Sequence, residues 1–460
     1  MKSAKLIVST LALLLAANLM AQQAKISNWR PYGQEGINVF EAPKEADATF
    51  DGLKVRIGGS FTQQYQALEH SNNATYDTIS YRGKPANANE LYALAPGFNL
   101  ASANLYIDAQ LADGIRVALE NYMSSRHHSE FWVKGGYIQI DKLPMFNNPE
   151  WFTKYLRVKI GHFQVNYGDQ QFRRSDNGNT MYNPFVGNYI MDAFATEIGG
   201  EAYLFLPSGF MGMVGVTNGL IGGNIQDLTG DDPRAPSVYA KLAYDKQVTQ
   251  DLRFRLSGSV YMNSGVSRNT LYAGDRAGSR FYLALEPAYY LPRGETAYIA
   301  ADAAGLATSG RVSPGFSSEV TSFMINPFIK YKGLEVFGTF EQSKGMAYTD
   351  PKAEGAEKPD ARTATQVAVE GIYRFLPNEQ VFVGARYQQV SGELNARILE
   401  NGAPKDLSVN RLEVSAGWFP IKNLLLKASY IDQKYNDFPS SNILSEGEFH
   451  GFMVEAALAF

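Results

Sequence analysis

The chain reads as an all-β protein: a transmembrane antiparallel up-and-down β-barrel of 16 strands, or 18 on an alternative count, with short periplasmic turns and long extracellular loops. Three observations predict it. Apolar and polar residues alternate with period two over most of the length, and connections between the alternating segments are by turns short and long. After residue 21 no unbroken apolar run reaches 18 residues, so a chain that enters a membrane must do so as a closed barrel, in which every backbone group is paired without helices.

The first residues are Met1-Lys2-Ser3-Ala4-Lys5, then an apolar run from Leu6 to Ala17, then Asn18-Leu19-Met20-Ala21-Gln22. A basic start, an apolar stretch of about 12 residues and a small residue at a cleavage point have the layout of a secretory signal peptide, expected over 1–21. The run is too short for a membrane anchor, which needs about 20 apolar residues. Removing 1–21 takes away Lys2 and Lys5 and leaves 40 basic against 46 acidic residues. Residues 22–52 are expected to form a periplasmic N-terminal segment, and 53–460 the transmembrane barrel. About 30 residues before Leu53 are too few for the plug of an energised transporter.

The alternation is clearest in Leu53 to Leu68. Leu53, Val55, Ile57, Phe61 and Tyr65 lie on one face, and Lys54, Arg56, Ser60, Thr62 and Gln64 on the other. Ala101 to Leu111 repeats the pattern, Ala112-Asp113-Gly114 turns the chain, and Ile115, Val117 and Leu119 return against Arg116 and Glu120. Phe131 to Asp141 and Leu156 to Val165 follow. Further hairpins are read at 196–206 with 210–217, 238–244 with 252–262, 323–331 with 334–341, 367–375 with 381–389, and 412–419 with 424–432. Phe452 to Phe460 closes the chain with an aromatic last residue, the kind of ending by which barrel-assembly machinery recognises outer-membrane proteins. These segments count 16. Reading Arg280 to Leu291 and Glu295 to Ala304 as a further hairpin gives 18. Tyr65, Tyr122, Tyr244, Phe375, Trp418, Phe419 and Tyr430 are expected as aromatic girdles at the membrane interfaces.

Composition narrows the function. The 460 residues include no Cys, 42 Gly, 27 Tyr and 27 Phe, with 19% charged residues and a formal net charge of −4. A thiolate metal site and a disulfide scaffold are excluded, and no basic face points to a nucleic-acid partner.

The stretch Tyr155-Leu156-Arg157-Val158-Lys159-Ile160-Gly161-His162-Phe163-Gln164-Val165-Asn166-Tyr167-Gly168 is a basic strand followed by Gly-x-Phe and an aromatic-Gly. It resembles the strand-to-loop motif of the phosphate-selective porin O and P family. Gly274 to Arg280 and Ile325 to Glu335 look like segments of that family's Bacteroidetes-type relatives. The resemblance spans most of the chain loosely, and implies a 16-stranded, usually homotrimeric channel in the bacterial outer membrane. The family's arginine ladder and lysine cluster have no residue-by-residue match here.

On this reading the loop after the fifth strand, Asn166 to Ala193, is the one that folds into the lumen of general porins. It carries Arg173 and Arg174 beside Asp169, Asp176 and Asp192, and rings of charge at a constriction set ion preference. The loop from 263 to 320 brings Arg276 and Arg280. Strand parity puts Lys54, Arg56, Arg157, Lys159, Arg253 and Arg255 on the lumen wall, together with Arg116, Lys241, Lys330, Arg374, Arg386 and Lys427. Facing them are Asp108, Glu120, Glu197, Glu201, Glu335, Glu341, Glu370 and Glu455. The excess of cations predicts a mild anion preference; structural ion pairing of the two signs is the competing reading. The expected function is passive diffusion of small hydrophilic solutes or anions, with membrane lipid as surroundings and no cofactor. A plugged, adhesin-like or structural barrel is the alternative. A membrane hydrolase would draw on His127-His128 after Ser124-Ser125, but neighbouring strand residues point opposite ways and no enzyme is expected.

Overall fold

A computed structural model of the chain describes residues 25–125, 131–219, 235–266, 268–273, 280–292, 295–300 and 308–460. The expected signal peptide, His127, His128 and Arg276 lie outside these residues.

Sixteen strands among the described residues close into one barrel. In chain order they are β1 (Lys54–Ser71), β2 (Gly97–Ala112), β3 (Ile115–Ser124), β4 (Trp132–Ile140), β5 (Leu156–Gln164), β6 (Thr196–Phe205), β7 (Phe210–Thr217) and β8 (Ser237–Gln247). The second half is β9 (Leu252–Asn263), β10 (Glu319–Tyr331), β11 (Leu334–Met346), β12 (Arg362–Phe375), β13 (Val381–Gly392), β14 (Leu407–Ile421), β15 (Leu424–Asn436) and β16 (Glu448–Ala459). Each strand pairs antiparallel with its chain neighbours. The seam is closed by β1 on β16, in register from Ser60 opposite Ala459 to Ser71 opposite Glu448.

The pleat sorts the side chains. On β14, Leu412, Val414 and Trp418 are exposed on the outer surface, while Arg411, Glu413 and Ser415 between them are buried inside. On β12, Val367, Val369 and Tyr373 face out and Gln366, Glu370 and Arg374 face in. An apolar exterior over a polar interior is the arrangement that lipid outside and a solvated lumen inside demand. Tyr65, Tyr244, Phe375, Trp418 and Tyr430 share the parity of the outer face, but Tyr122 and Phe419 do not. Both are buried, Tyr122 with the inward parity of Arg116 and Glu120, and Phe419 packed against Phe382 inside, because two consecutive residues cannot both face lipid.

The 18-strand count is overturned. Within that further hairpin, the pairing found among the described residues is Tyr289–Tyr290 with Ile299–Ala300, apart from the barrel. Leu283 and Leu285 both take left-handed backbone, with φ of 60° and 57°, which no continuous strand accommodates. This stretch instead enters the lumen, where the Tyr282 backbone N–H donates to Gln66 Oε1 at 3.0 Å and Phe281 packs on Phe449 of β16. One connection at the short-turn end is not tight: residues 141–155 include the helix Glu150–Tyr155.

The apolar core sits inside the barrel. Val186, Ile190 and Met191 of the loop between β5 and β6, with Leu271 and Phe281 of the loop between β9 and β10, pack against Val390, Val409, Ile431 and Met453 on the wall.

Candidate functional site

Besides the stretch around Phe281, three parts of the chain meet in the lumen: the wall, the loop 165–195 and the N-terminal segment. The segment 22–52, expected to stay on the periplasmic side, is found from residue 25 onward docked into the barrel at the end that carries the short turns. The Gln34 N–H donates to the Lys422 carbonyl at 2.9 Å in the turn between β14 and β15, and Lys142 Nζ donates to the Ala48 carbonyl at 2.6 Å. Deeper inside, Tyr32 stacks on Tyr106 of β2 with ring centroids 4.2 Å apart, and Phe40 lies edge-on to Phe328 of β10 at 5.4 Å. Polar and irregular, the segment has no period of its own; side chains of the wall and loop give its backbone groups partners.

The loop 165–195 crosses the lumen, and wall side chains hold its backbone. Lys427 Nζ donates to the carbonyls of Thr180, Asn183 and Phe185 at 3.1, 2.7 and 2.8 Å. Arg386 Nη2 donates to the Gly187 carbonyl at 2.6 Å, and Arg411 Nη1 to that of Asn188 at 2.6 Å. Gln366 clasps Met191 from both sides, accepting from its N–H at 2.9 Å and donating to its carbonyl at 2.8 Å. Wall cations expected to face passing ions are therefore loop anchors. Arg411 falls one residue before the expected strand 412–419, and Glu413 lies within it at the inward parity of Ser415; neither is among the expected lumen charges, though the alternation places both inside. Lys134 and Arg362 were missed on their walls as well.

The expected site residues fall into carboxylate pairs. Arg173, buried, donates from Nε to Glu370 at 3.1 Å, lies 3.7 Å from Glu335 and also donates to Asn38 Oδ1. Asn38 in turn donates to Glu335 Oε1 at 2.5 Å, so loop, wall and N-terminal segment share one cluster. Arg174 grips Asp192 of its own loop. Arg255 donates to Asp169 at 2.7 and 2.9 Å and to Glu41 at 2.7 Å. Arg253 forks onto Asp245 and also reaches the Asn38 carbonyl at 2.9 Å. Arg56 pairs with Asp108 at 2.7 Å beneath the Tyr32 ring, and Arg157 with Asp141 at 2.8 Å. Lys159 sits 3.5 Å from Glu201, between the rings of Tyr137 and Phe163 at 4.4 and 4.3 Å. Arg280 meets Glu455 at 3.2 Å and the Asn177 carbonyl at 2.9 Å. Lys54 stands apart at the start of β1, paired with Asp51 at 2.7 Å.

Glu41 and Asp169, both outside the strands, share the same two cations. Burial alone would push the Glu41 carboxyl up, but Arg255 and Lys241 outweigh it and hold it below the usual carboxylate range. Asp169, against the same two cations, is likewise held below its usual range. His70 accepts from the Leu285 N–H at 2.9 Å, and His450 lies 3.9 Å from Glu69.

Between these elements remains a cavity of about 250 Å³. Its walls are β3 to β5 on one side, loop residues such as Arg174, Asp176 and Tyr182 on the other, and Trp29, Tyr32 and Phe40 of the N-terminal segment.

A closed ring of sixteen strands, apolar outside and polar within, is a membrane-spanning barrel of the outer-membrane class. No family model and no curated protein matches the chain. Solved structures similar to it include an anion-selective porin from Comamonas acidovorans (11% identity over 89% of this chain and 100% of that one, TM-score 0.49). Another is the trimer form of in-vitro folded OmpT, an outer membrane protein of Vibrio cholerae (11%, 89% and 100%, 0.48). A third is the outer membrane channel DcaP of Acinetobacter baumannii (11%, 90% and 99%, 0.47). At such identities and TM-scores, what this chain does is read from its own residues.

Proposed function

We propose that the protein is an outer-membrane porin, a channel for passive diffusion of small hydrophilic solutes whose aperture is set by the loop 165–195 and the N-terminal segment. The observation that carries this is the cavity left between wall, loop and segment, lined by charged and aromatic side chains. We read the chain as a homotrimer and not an enzyme, delivered by its signal peptide and assembled through its C-terminal Phe460. The excess of wall cations and the resemblance to phosphate-selective porins support an anion preference; the pairing of Arg173, Arg255 and Arg280 with carboxylates argues that it is mild.

The competing reading is a plugged barrel with a binding role, favoured by the apolar packing of Ile190, Met191 and Phe281 across the lumen. Planar bilayers separate the two. The porin reading expects stepwise conductance from the purified protein and a reversal potential slightly favouring anions in a salt gradient. Silent bilayers under the same conditions reject it, and a cation-favouring potential rejects the anion preference alone.

A further inference from the structure

The cavity beside β3 to β5 has a chemistry that goes beyond an aperture. Its charges are internally balanced. Lys134 lies 3.0 Å from Glu120 and also pairs with Asp176. Arg174 is held by Asp192, Arg157 by Asp141 and Asp108 by Arg56. Among the described residues the lining carries five cations (Arg30, Lys134, Arg157, Lys159, Arg174) and four carboxylates (Glu41, Asp108, Glu120, Asp176), so a passing ion meets little net charge. A charged solute entering such a slot loses hydration without gaining a full counter-charge. A neutral solute rich in hydroxyls loses far less, and ion-paired side chains still offer it donors and acceptors.

The second property is aromatic. Trp29 and Tyr32 come from the N-terminal segment, Tyr106, Tyr137 and Phe163 from the wall, and Tyr182 from the loop, so rings reach the cavity from all three walls. Trp29 and Tyr137 lie nearly parallel, 18° apart in plane, with centroids separated by 6.2 Å. Pyranose rings combine an edge of hydroxyls with a face of C–H groups, and that face buries well on an aromatic ring. At about 250 Å³ the cavity lies below the roughly 300–1,000 Å³ of pockets for drug-sized ligands, which limits the occupant to about one sugar ring.

We propose that this cavity is a carbohydrate subsite, a place where a neutral monosaccharide unit pauses in transit against the aromatic rings that line it, Trp29 among them. The inference rests on the porin reading and names the solute class that the constriction favours.

The test uses the full-length, folded protein in planar bilayers, with glucose, gluconate and glucosamine as probes of similar size and different charge. Glucose is expected to interrupt the ion current in a saturable way, and gluconate and glucosamine to do so at least about tenfold more weakly. Trp29→Ala, in the segment outside the barrel wall, is expected to weaken the glucose block by about tenfold, the size of one aromatic contact. Tyr387→Phe on the lipid face is expected to retain the wild-type glucose affinity. Conductance without glucose block, equal block by the charged probes, or a Trp29→Ala variant that binds glucose as tightly as wild type overturns the subsite and leaves the porin reading standing. A silent bilayer defeats the porin reading instead. In that case glucose titration of tryptophan fluorescence in detergent decides the subsite: a saturable change lost in Trp29→Ala supports it, and no change overturns it.

Discussion

Arg174 and Asp192, eighteen residues apart within one loop, meet in a two-pronged ion pair, Nε to Oδ1 at 2.8 Å and Nη2 to Oδ2 at 2.6 Å, with both side chains fully buried. The pair cross-braces the loop, tying the strand of chain that enters the lumen to the one that leaves it. The planar guanidinium and carboxylate match in geometry, which makes this the strong form of a charged hydrogen bond.

Asp192→Asn is expected to loosen the loop. Removing one member of a buried pair costs about 3–5 kcal/mol in general, because the remaining charge keeps its desolvation cost. The wall hydrogen bonds of the barrel are untouched, so the variant should fold and still run as a compact band in unheated SDS gels. Single-channel recordings should show larger or flickering conductance. A variant with wild-type conductance and noise means that the brace does not control the aperture.

Acid should release the N-terminal segment. Burial raises the Glu41 carboxyl, yet Arg255 and Lys241 hold it below its ordinary 4.5, and they hold Asp169 below its ordinary 3.8. A carboxyl depressed in the folded state contributes stability that is complete above its ordinary value and lost as pH falls through the folded one. Docking of residues 25–49 is therefore constant from pH 7 to 5 and weakens only below about pH 4. Protease protection of the segment, followed against pH, checks this. Glu41→Gln should give a more accessible segment already at neutral pH, and release between pH 7 and 5 in the wild type points to another group.

Gly178 is the third point of control. Its N–H donates to Asn104 Oδ1 at 2.8 Å, and its carbonyl accepts from Thr62 Oγ1 at 2.8 Å. A Cβ there would stand 2.6 Å from the Ala103 Cα, and the backbone of a barrel strand cannot step aside. Gly178→Ala is expected to lift the loop tip off β2, at about 1–3 kcal/mol, and to widen the channel without unfolding the barrel. Conductance unchanged in this variant means the tip re-docks elsewhere.

The wall was largely legible from the sequence, since period two follows directly from the pleat: Arg255, Glu335 and Glu370 were expected inside and are buried there. Tyr122 and Phe419 were assigned to the lipid side for being aromatic, when their parity already placed them inside. The paths of loop and segment were not legible. Arg173 finds Glu370 197 residues away, and Asn38 finds Glu335 at a separation of 297. Such partners are chosen by barrel closure, and nothing in the local pattern of either residue announces them.

The clusters around Asn38, Asp169 and Asp192 are shut away from bulk water, and so from its dissolved ions. Mobile salt shortens the reach of surface charges from about 30 Å in 0.01 M electrolyte to about 3 Å at 1 M, but it cannot enter a packed interior. Moving the protein from dilute electrolyte into brine is thus expected to leave these internal braces unchanged, whatever happened to the loops at the rim.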